Sequence, residues 1–238
     1  AADLGWRNQS RSAKIDFQST DQRSPRRIIE AQGVAQSFGG RELFAPVDIL
    51  VTPQTRLGIL GANGCGKTTL IRLLLGLDQP SVGKVKVNDR IRVAYFAQHR
   101  VELDPKVSVA KTICPDGDHV EFRGHRVFIR GYLSRFLFRS EQLDMPVEKL
   151  SGGEKARLRI AKLMLEPADV LVLDEPTNDL DLPTLKVLEQ ALMEFDGAVI
   201  LVTHDRYFLD QVANEILAFV RDSKGQPRIE RFADTLQW

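Results

Sequence analysis

The chain has 238 residues, 43% of them hydrophobic and 27% charged, with a formal net charge of +1 at pH 7. That is long enough to bury a substantial core, and the charge balance gives no overall reason to bind a polyanion. No apolar run approaches the roughly 18 residues that span a bilayer, AADLGWRNQSRSAK at the N-terminus lacks an apolar signal core, and Cys65 and Cys114 are too few for a disulfide framework, so a cytoplasmic, reduced setting is expected.

Residues 1–27 carry six Arg or Lys against three Asp, show no sustained period, and read as a linker or mobile arm; residues 28–238 read as the folded unit. RRIIEAQGVAQSF (26–38), DILV (48–51) and TRLGILG (55–61) read as strands, the last ending at a glycine. KTTLIRLLLGL (67–77) has helical spacing. GKVKVNDRIRVAYFAQ (83–98) reads as a hairpin turning at Asn88-Asp89. A mostly helical stretch is expected from 119 to 145. Within it, residues 122–140 hold five arginines and no acid, with Phe128, Tyr132 and Phe136 at i, i+4 spacing. That predicts an amphipathic helix with a basic fringe, used for packing and, as the alternative, for nucleic-acid contact.

In EKLSGGEKARLRIAKLML (148–165), Ser151 and Glu154 form an S-x-x-E capping box. Gly152 and Gly153 in the first turn of that helix cost about 1 kcal/mol each relative to alanine, which implies that something approaches the backbone there. DVLVLDE (169–175) and GAVILVTHD (197–205) are short apolar runs suited to buried parallel strands. The helix LPTLKVLEQALMEF (182–195), with Pro183 in its first turn, joins them. Strand, helix, strand in that order predicts a right-handed crossover and an α/β core. EILAFV (215–220) and PRIERF (227–232) read as late strands.

GANGCGKT (61–68) satisfies G-x-x-x-x-G-K-[ST] between a strand and a helix, the context that marks a P-loop. Gly61, Gly64 and Gly66 let the backbone turn tightly and aim N–H groups at phosphate oxygens. Asn63 and Cys65 are the loop residues between them, Cys65 as a small residue rather than a nucleophile. The following helix adds its positive dipole end. Lys67 is placed to reach the β/γ-phosphates, Thr68 to ligate Mg²⁺ and Thr69 to add a phosphate contact. VLVLDE carries Asp174 to a strand end, where its carboxylate can hold Mg²⁺ through water. Glu175 follows as a candidate general base.

The order GANGCGKT, Gln98, LSGGE, VLVLDE, His204 resembles an ATP-binding cassette of the ABC superfamily, from about residue 28 onward. EPTNDLD (175–181) and THDRYFLD (203–210) resemble the ABC-F class, and VAYFAQHRVELDP and GYLSRFLF resemble the second cassette of Uup-type members. The resemblance implies a P-loop fold with a mainly parallel core sheet, an antiparallel β subdomain and a helical signature subdomain at about 99–150. It further implies that Phe38 stacks on adenine, Gln98 contacts Mg²⁺ or water, and His204 bonds the γ-phosphate. Asp181 would report dimer closure, and Asp179 stands where the family often has His. Ser151, Gly152 and Gly153 would cover the ATP of a second cassette in a head-to-tail sandwich, the partner lying in the same full-length chain or in a homodimer. The implied function is ATP hydrolysis driving a switch on the ribosome, RNA or DNA. The alternatives are an ATP clamp with slow turnover, or the ATPase subunit of a transporter whose membrane part is a separate protein.

Overall fold

The computed structural model describes residues 27–97, 102–178, 180–223 and 225–232. Residues 1–26 of the expected arm, Gln98 and Asp179 lie outside the described residues.

Two long strands, β1 (Ile29–Phe38) and β2 (Arg41–Val51), pair antiparallel across Gly39 and Gly40. Those residues take φ of 57° and 81°, the left-handed values a tight two-residue hairpin turn requires. Next come β3 (Arg56–Leu60), the glycine-rich loop and α1 (Lys67–Leu74), then β4 (Val82–Val87), which returns to β1 and completes an antiparallel sheet β2-β1-β4. β5 (Val93–Ala97), α2 (Val109–Ile113), β6 (His119–Phe122), β7 (His125–Phe128) and α3 (Ile129–Ser134) lead to α4 (Gly152–Leu163). β8 (Val170–Asp174), α5 (Leu182–Met193), β9 (Ala198–Val202), α6 (Arg206–Val212), β10 (Glu215–Arg221) and β11 (Pro227–Phe232) follow. The core sheet has the order β11-β10-β3-β9-β8-β5. Every pairing from β10 to β5 is parallel, and β11 closes one edge antiparallel. The expected α/β class, parallel core and antiparallel sheet are all present.

Two local expectations are corrected. The hairpin over 83–98 does not form. Asn88 does turn the chain, its side-chain carbonyl accepting the Arg90 N–H, but the turn separates two sheets: β4 pairs β1 and β5 pairs β8. β5 is an edge strand that buries Ala94 and Phe96 on one face, while on the other Tyr95 is half-buried and Val93 exposed. The Arg92 N–H donates to the Asp169 carboxylate at 2.8 Å and the Asp169 N–H to the Arg92 carbonyl at 2.8 Å, which sets the β5–β8 register.

The helical stretch over 119–145 is also broken. Its first part is the β6–β7 hairpin, turned at Arg123 and Gly124 with φ of 54° and 72°. Only residues 129–134 form an α-helix, followed by a 3₁₀ turn at 140–142. The i, i+4 spacing is real from Tyr132 to Phe136, whose ring centroids lie 5.1 Å apart, but Phe128 sits at the end of a strand and is exposed. Tyr132 is fully buried and its hydroxyl donates to the Ala161 carbonyl at 2.6 Å, fastening α3 to α4. Burial raises the Tyr132 phenol above its ordinary range, so it stays a donor.

The core sheet divides the interior into two layers. Along β8 the side chains alternate faces: Val170 and Val172 join the cluster that holds Leu70, Leu73 and Leu74 of α1, while Leu171 and Leu173 join the cluster that holds α4, α5 and α6. β9 alternates in the same way, Ile200 on the α1 side and Leu201 on the other. The P-loop helix and the LSGGE helix therefore pack on opposite layers.

Candidate active site

The P-loop leaves the C-terminal end of β3. A Cβ on Gly61 would lie 2.7 Å from both Cys65 Sγ and Phe219 Cβ, so that position excludes a side chain. Gly64 and Gly66 take φ of 75° and 114°, and Gly66 stands at the N-cap of α1. No acidic residue occupies the first turn of α1, and its positive end is left uncompensated. The Lys67 ammonium donates to the carbonyls of Gly61 at 2.7 Å and Ala62 at 3.1 Å, folded over its own loop. Thr68 and Thr69 face the same cleft, of about 470 Å³, together with Phe38, Asn63, Asp174 and Glu175. Phe38 is 57% exposed at the end of β1, which leaves its ring free to stack on a flat ligand rather than fill the core. Cys65 is partly exposed and lines an adjoining recess with Phe219.

The ends of β8 and β9 supply the acidic and imidazole groups. Glu175 is held at φ 48°, a left-handed value that a non-glycine residue adopts at a cost of about 1–3 kcal/mol and that clusters at functional sites. Its N–H donates to the Val202 carbonyl at 2.7 Å, and the Thr177 and Thr203 hydroxyls bond at 3.0 Å just beyond, so the turn is fixed from both strands. His204 Nε2 lies 3.2 Å from Glu175 Oε1 and 3.4 Å from Asn63 Oδ1. One side chain from each of the P-loop, β8 and β9 ends thus meets at a single point. The sequence reading overlooked Tyr95, whose hydroxyl donates to Asp174 Oδ2 at 3.1 Å. The signal was there: a lone hydroxyl on an apolar strand, in alternation with the strand end.

The donors fit Mg²⁺ carried by a phosphate. Mg²⁺ takes hard oxygens, keeps most of its water and uses one or two protein carboxylates. The Thr68 hydroxyl and Asp174 carboxylate line one cleft, and the described residues contain no group of three or more His, Cys, Asp or Glu that would make an all-protein cage.

Ser151, Gly152, Gly153 and Asp181 are not in that cleft. Ser151 caps α4: its hydroxyl accepts from the Glu154 N–H at 3.3 Å, and Glu154 accepts from the Ser151 N–H at 2.8 Å, the capping box read from the sequence. The second Glu154 oxygen accepts from the Gln142 amide at 2.6 Å. The Ser151 N–H, the Ser151 hydroxyl and the Gln142 amide hold the Glu154 carboxyl below its ordinary range. A carboxyl whose folded value is depressed stabilises the fold above the unfolded value, near pH 4.5, and loses that contribution as pH falls through the folded value. The stability gap between the parent and Glu154→Gln, followed by thermal unfolding, should therefore narrow steadily below about pH 4.5. A gap that stays constant down to about pH 2 contradicts the assignment.

The two glycines differ. A Cβ on Gly152 meets nothing within 4 Å, but one on Gly153 would lie 2.5 Å from Asp181 Oδ2 of the same chain. Asp181 in turn caps α5, accepting from the Thr184 N–H at 2.9 Å. Close approach of another molecule is thus the open explanation for Gly152, whereas Gly153 has a reason inside the chain.

A family model described as "ABC transporter" matches residues 44–178. ATP-binding protein Uup of Escherichia coli (strain K12) is 41% identical over 221 residues, covering 93% of this chain and 34% of that protein. Energy-dependent translational throttle protein EttA of Haemophilus influenzae is 37% identical over 212 residues, covering 89% of this chain and 38% of that protein. Among solved structures, a chain described as RNase-L Inhibitor shares the fold, with a TM-score of 0.58 at 23% identity over 85% of this chain and 39% of that one. The chain spans a third to a half of the length of the curated relatives it matches. With the P-loop between β3 and α1, the acidic end of β8 and the capped LSGGE helix in place, the chain belongs to the ABC transporter family and is related to the Uup and EttA proteins of the ABC-F class.

Proposed function

We propose that this cassette binds Mg-ATP in the P-loop cleft and hydrolyses it. The observation that carries the reading is the convergence of Lys67, Thr68, Asp174, Glu175 and His204 on the ends of adjacent parallel strands, the place where open α/β sheets bind ligands. Lys67 and the loop N–H groups would grip the phosphates, Phe38 would stack on the base, and Glu175 would take a proton from the attacking water. His204, bridging Glu175 and Asn63, would orient that carboxylate and sense the terminal phosphate. Thr68 and Asp174 would hold Mg²⁺, which when bound neutralises phosphate charge. Gln98 is proposed for the same ion and water on the family resemblance alone.

The same reading makes the site composite. LSGGE sits on the layer opposite α1, which supports its serving a second cassette rather than its own phosphates. Ser151, Gly152 and Gly153 would then cover the partner's ATP and Asp181 would sense closure. Turnover per chain should rise with protein concentration. Ser151→Arg should bind ATP as the parent does but fail to associate, and mixing it with Lys67→Ala should restore a single working site. Concentration-independent turnover from a verified monomer overturns the composite site.

The translational throttle named among the relatives supports a ribosome- or nucleic-acid-linked switch as the output. Of the five arginines at 122–140, Arg123 and Arg135 are engaged by Glu194 and Asp196. Arg126, Arg130 and Arg139 remain exposed for such contact. No described helix is long and apolar enough to cross a membrane. Fractionation of the full-length protein separates the readings: ribosomal RNA in the bound fraction supports the switch, membranes support the transporter subunit.

A further inference from the structure

We propose that Tyr95 is a positioning residue for the Asp174 carboxylate and that it tunes the response of nucleotide binding to Mg²⁺; this rests on the reading of Asp174 as the carboxylate that meets phosphate-borne Mg²⁺. Asp174 ends a strand of four buried apolar residues. By alternation its side chain lies on the face of Val170 and Val172, the α1 side. Tyr95 stands opposite Val172 in the parallel β5–β8 pair, and Ala97 opposite Asp174, so the phenol lies one pair back on that face. Its ring packs against the α1 cluster. Its hydroxyl meets Asp174 Oδ2 at 3.1 Å, and because an ionised carboxylate only accepts, the phenol is the donor.

The geometry has a consequence for the carboxylate. The terminal torsion of Asp is broad, so a carboxylate at a strand end swings unless something holds it. A hydrogen bond to the charged group fixes Oδ2 and leaves Oδ1 for the cleft that Asp174 lines. Tyr95 therefore bears on the metal-dependent part of nucleotide binding and not on the contacts made by Lys67 and the loop N–H groups. A tyrosine that only filled space would be replaced by phenylalanine at no cost to either part.

The test uses the whole chain. ATP affinity is measured by calorimetry in excess EDTA and then across a Mg²⁺ titration, for the parent, Tyr95→Phe, Asp174→Asn and the double variant. In EDTA, Tyr95→Phe should match the parent, which also reports that the fold is intact. The Mg²⁺ concentration at half-effect should rise by about three- to tenfold, the size of one net hydrogen bond. In the Asp174→Asn background, Tyr95→Phe should add no further shift. A Tyr95→Phe midpoint equal to the parent's, or an equal shift in the absence of Asp174, overturns the assignment while leaving ATP binding standing. A parent that binds no ATP under either condition defeats the nucleotide reading and this inference with it.

Discussion

Glu175→Gln is expected to lower ATP turnover by about 10²- to 10⁴-fold, the range of a lost general base, while ATP still binds. The side chain keeps its length, its carbonyl oxygen and its place beside His204 Nε2, 3.2 Å from Oε1 in the parent; what disappears is the lone pair that accepts a proton from water. The backbone argument points the same way. Glu175 pays for its φ of 48°, and glutamine at that position pays the same, so the variant isolates chemistry from strain. On the composite-site reading, binding and closure precede the chemical step, so the variant should accumulate as an ATP-bound associated species on a sizing column. Turnover near the parent's rate would remove Glu175 from the role of base.

Lys67→Ala acts on the earlier step. The ammonium carries three donors, and each hydrogen bond from a charged group is worth about 1.5–3 kcal/mol. Losing two such bonds to phosphate lowers affinity by on the order of 10²-fold or more. Among the described residues Lys67 donates to the carbonyls of Gly61 and Ala62 in its own loop, so the unfolding midpoint should move little. Calorimetric affinity unchanged by the substitution would contradict the P-loop assignment. A large fall in the unfolding midpoint would instead recast Lys67 as a brace for the loop.

How much of this was legible without coordinates differs from segment to segment. The P-loop, β8 and β9 could be read because a buried parallel strand is a continuous apolar run and the chemistry sits at its end; VLVLDE and VILVTHD carry both signals within themselves, and GANGCGKT follows directly on the apolar run LGIL. The capping box at Ser151 and Glu154 was likewise local. The errors arose where a short pattern fits two periods. HVEF and HRVF are only four residues each, and an arginine at φ 54° before Gly124 is not a turn that sequence announces, so the aromatic spacing beyond it was carried backward into a helix. The turn at Asn88 was read correctly, but which sheet its flanking strands enter depends on partners 47 to 58 residues away for β4 and 77 for β5, which no local pattern contains. The hydroxyl of Tyr95 stands out on its apolar strand, but its partner Asp174 is 79 positions distant and only the sheet pairing reveals it.

The contact between Gly153 and Asp181 links two stretches that a reading by motif treats as separate. Asp181 is anchored by the cap it gives to α5, so it cannot simply swing aside to admit a methyl group at position 153. An alanine there requires the Asp181 carboxylate to shift, which strains a cap worth about 1 kcal/mol unless position 181 shortened at the same time. Gly152, facing open space, carries no such tie. Positions 153 and 181 are therefore expected to drift as a pair in related chains, whereas a constraint on position 152 comes from outside the molecule; on the composite-site reading, a lineage that stopped pairing with a second cassette is expected to lose the first glycine before the second.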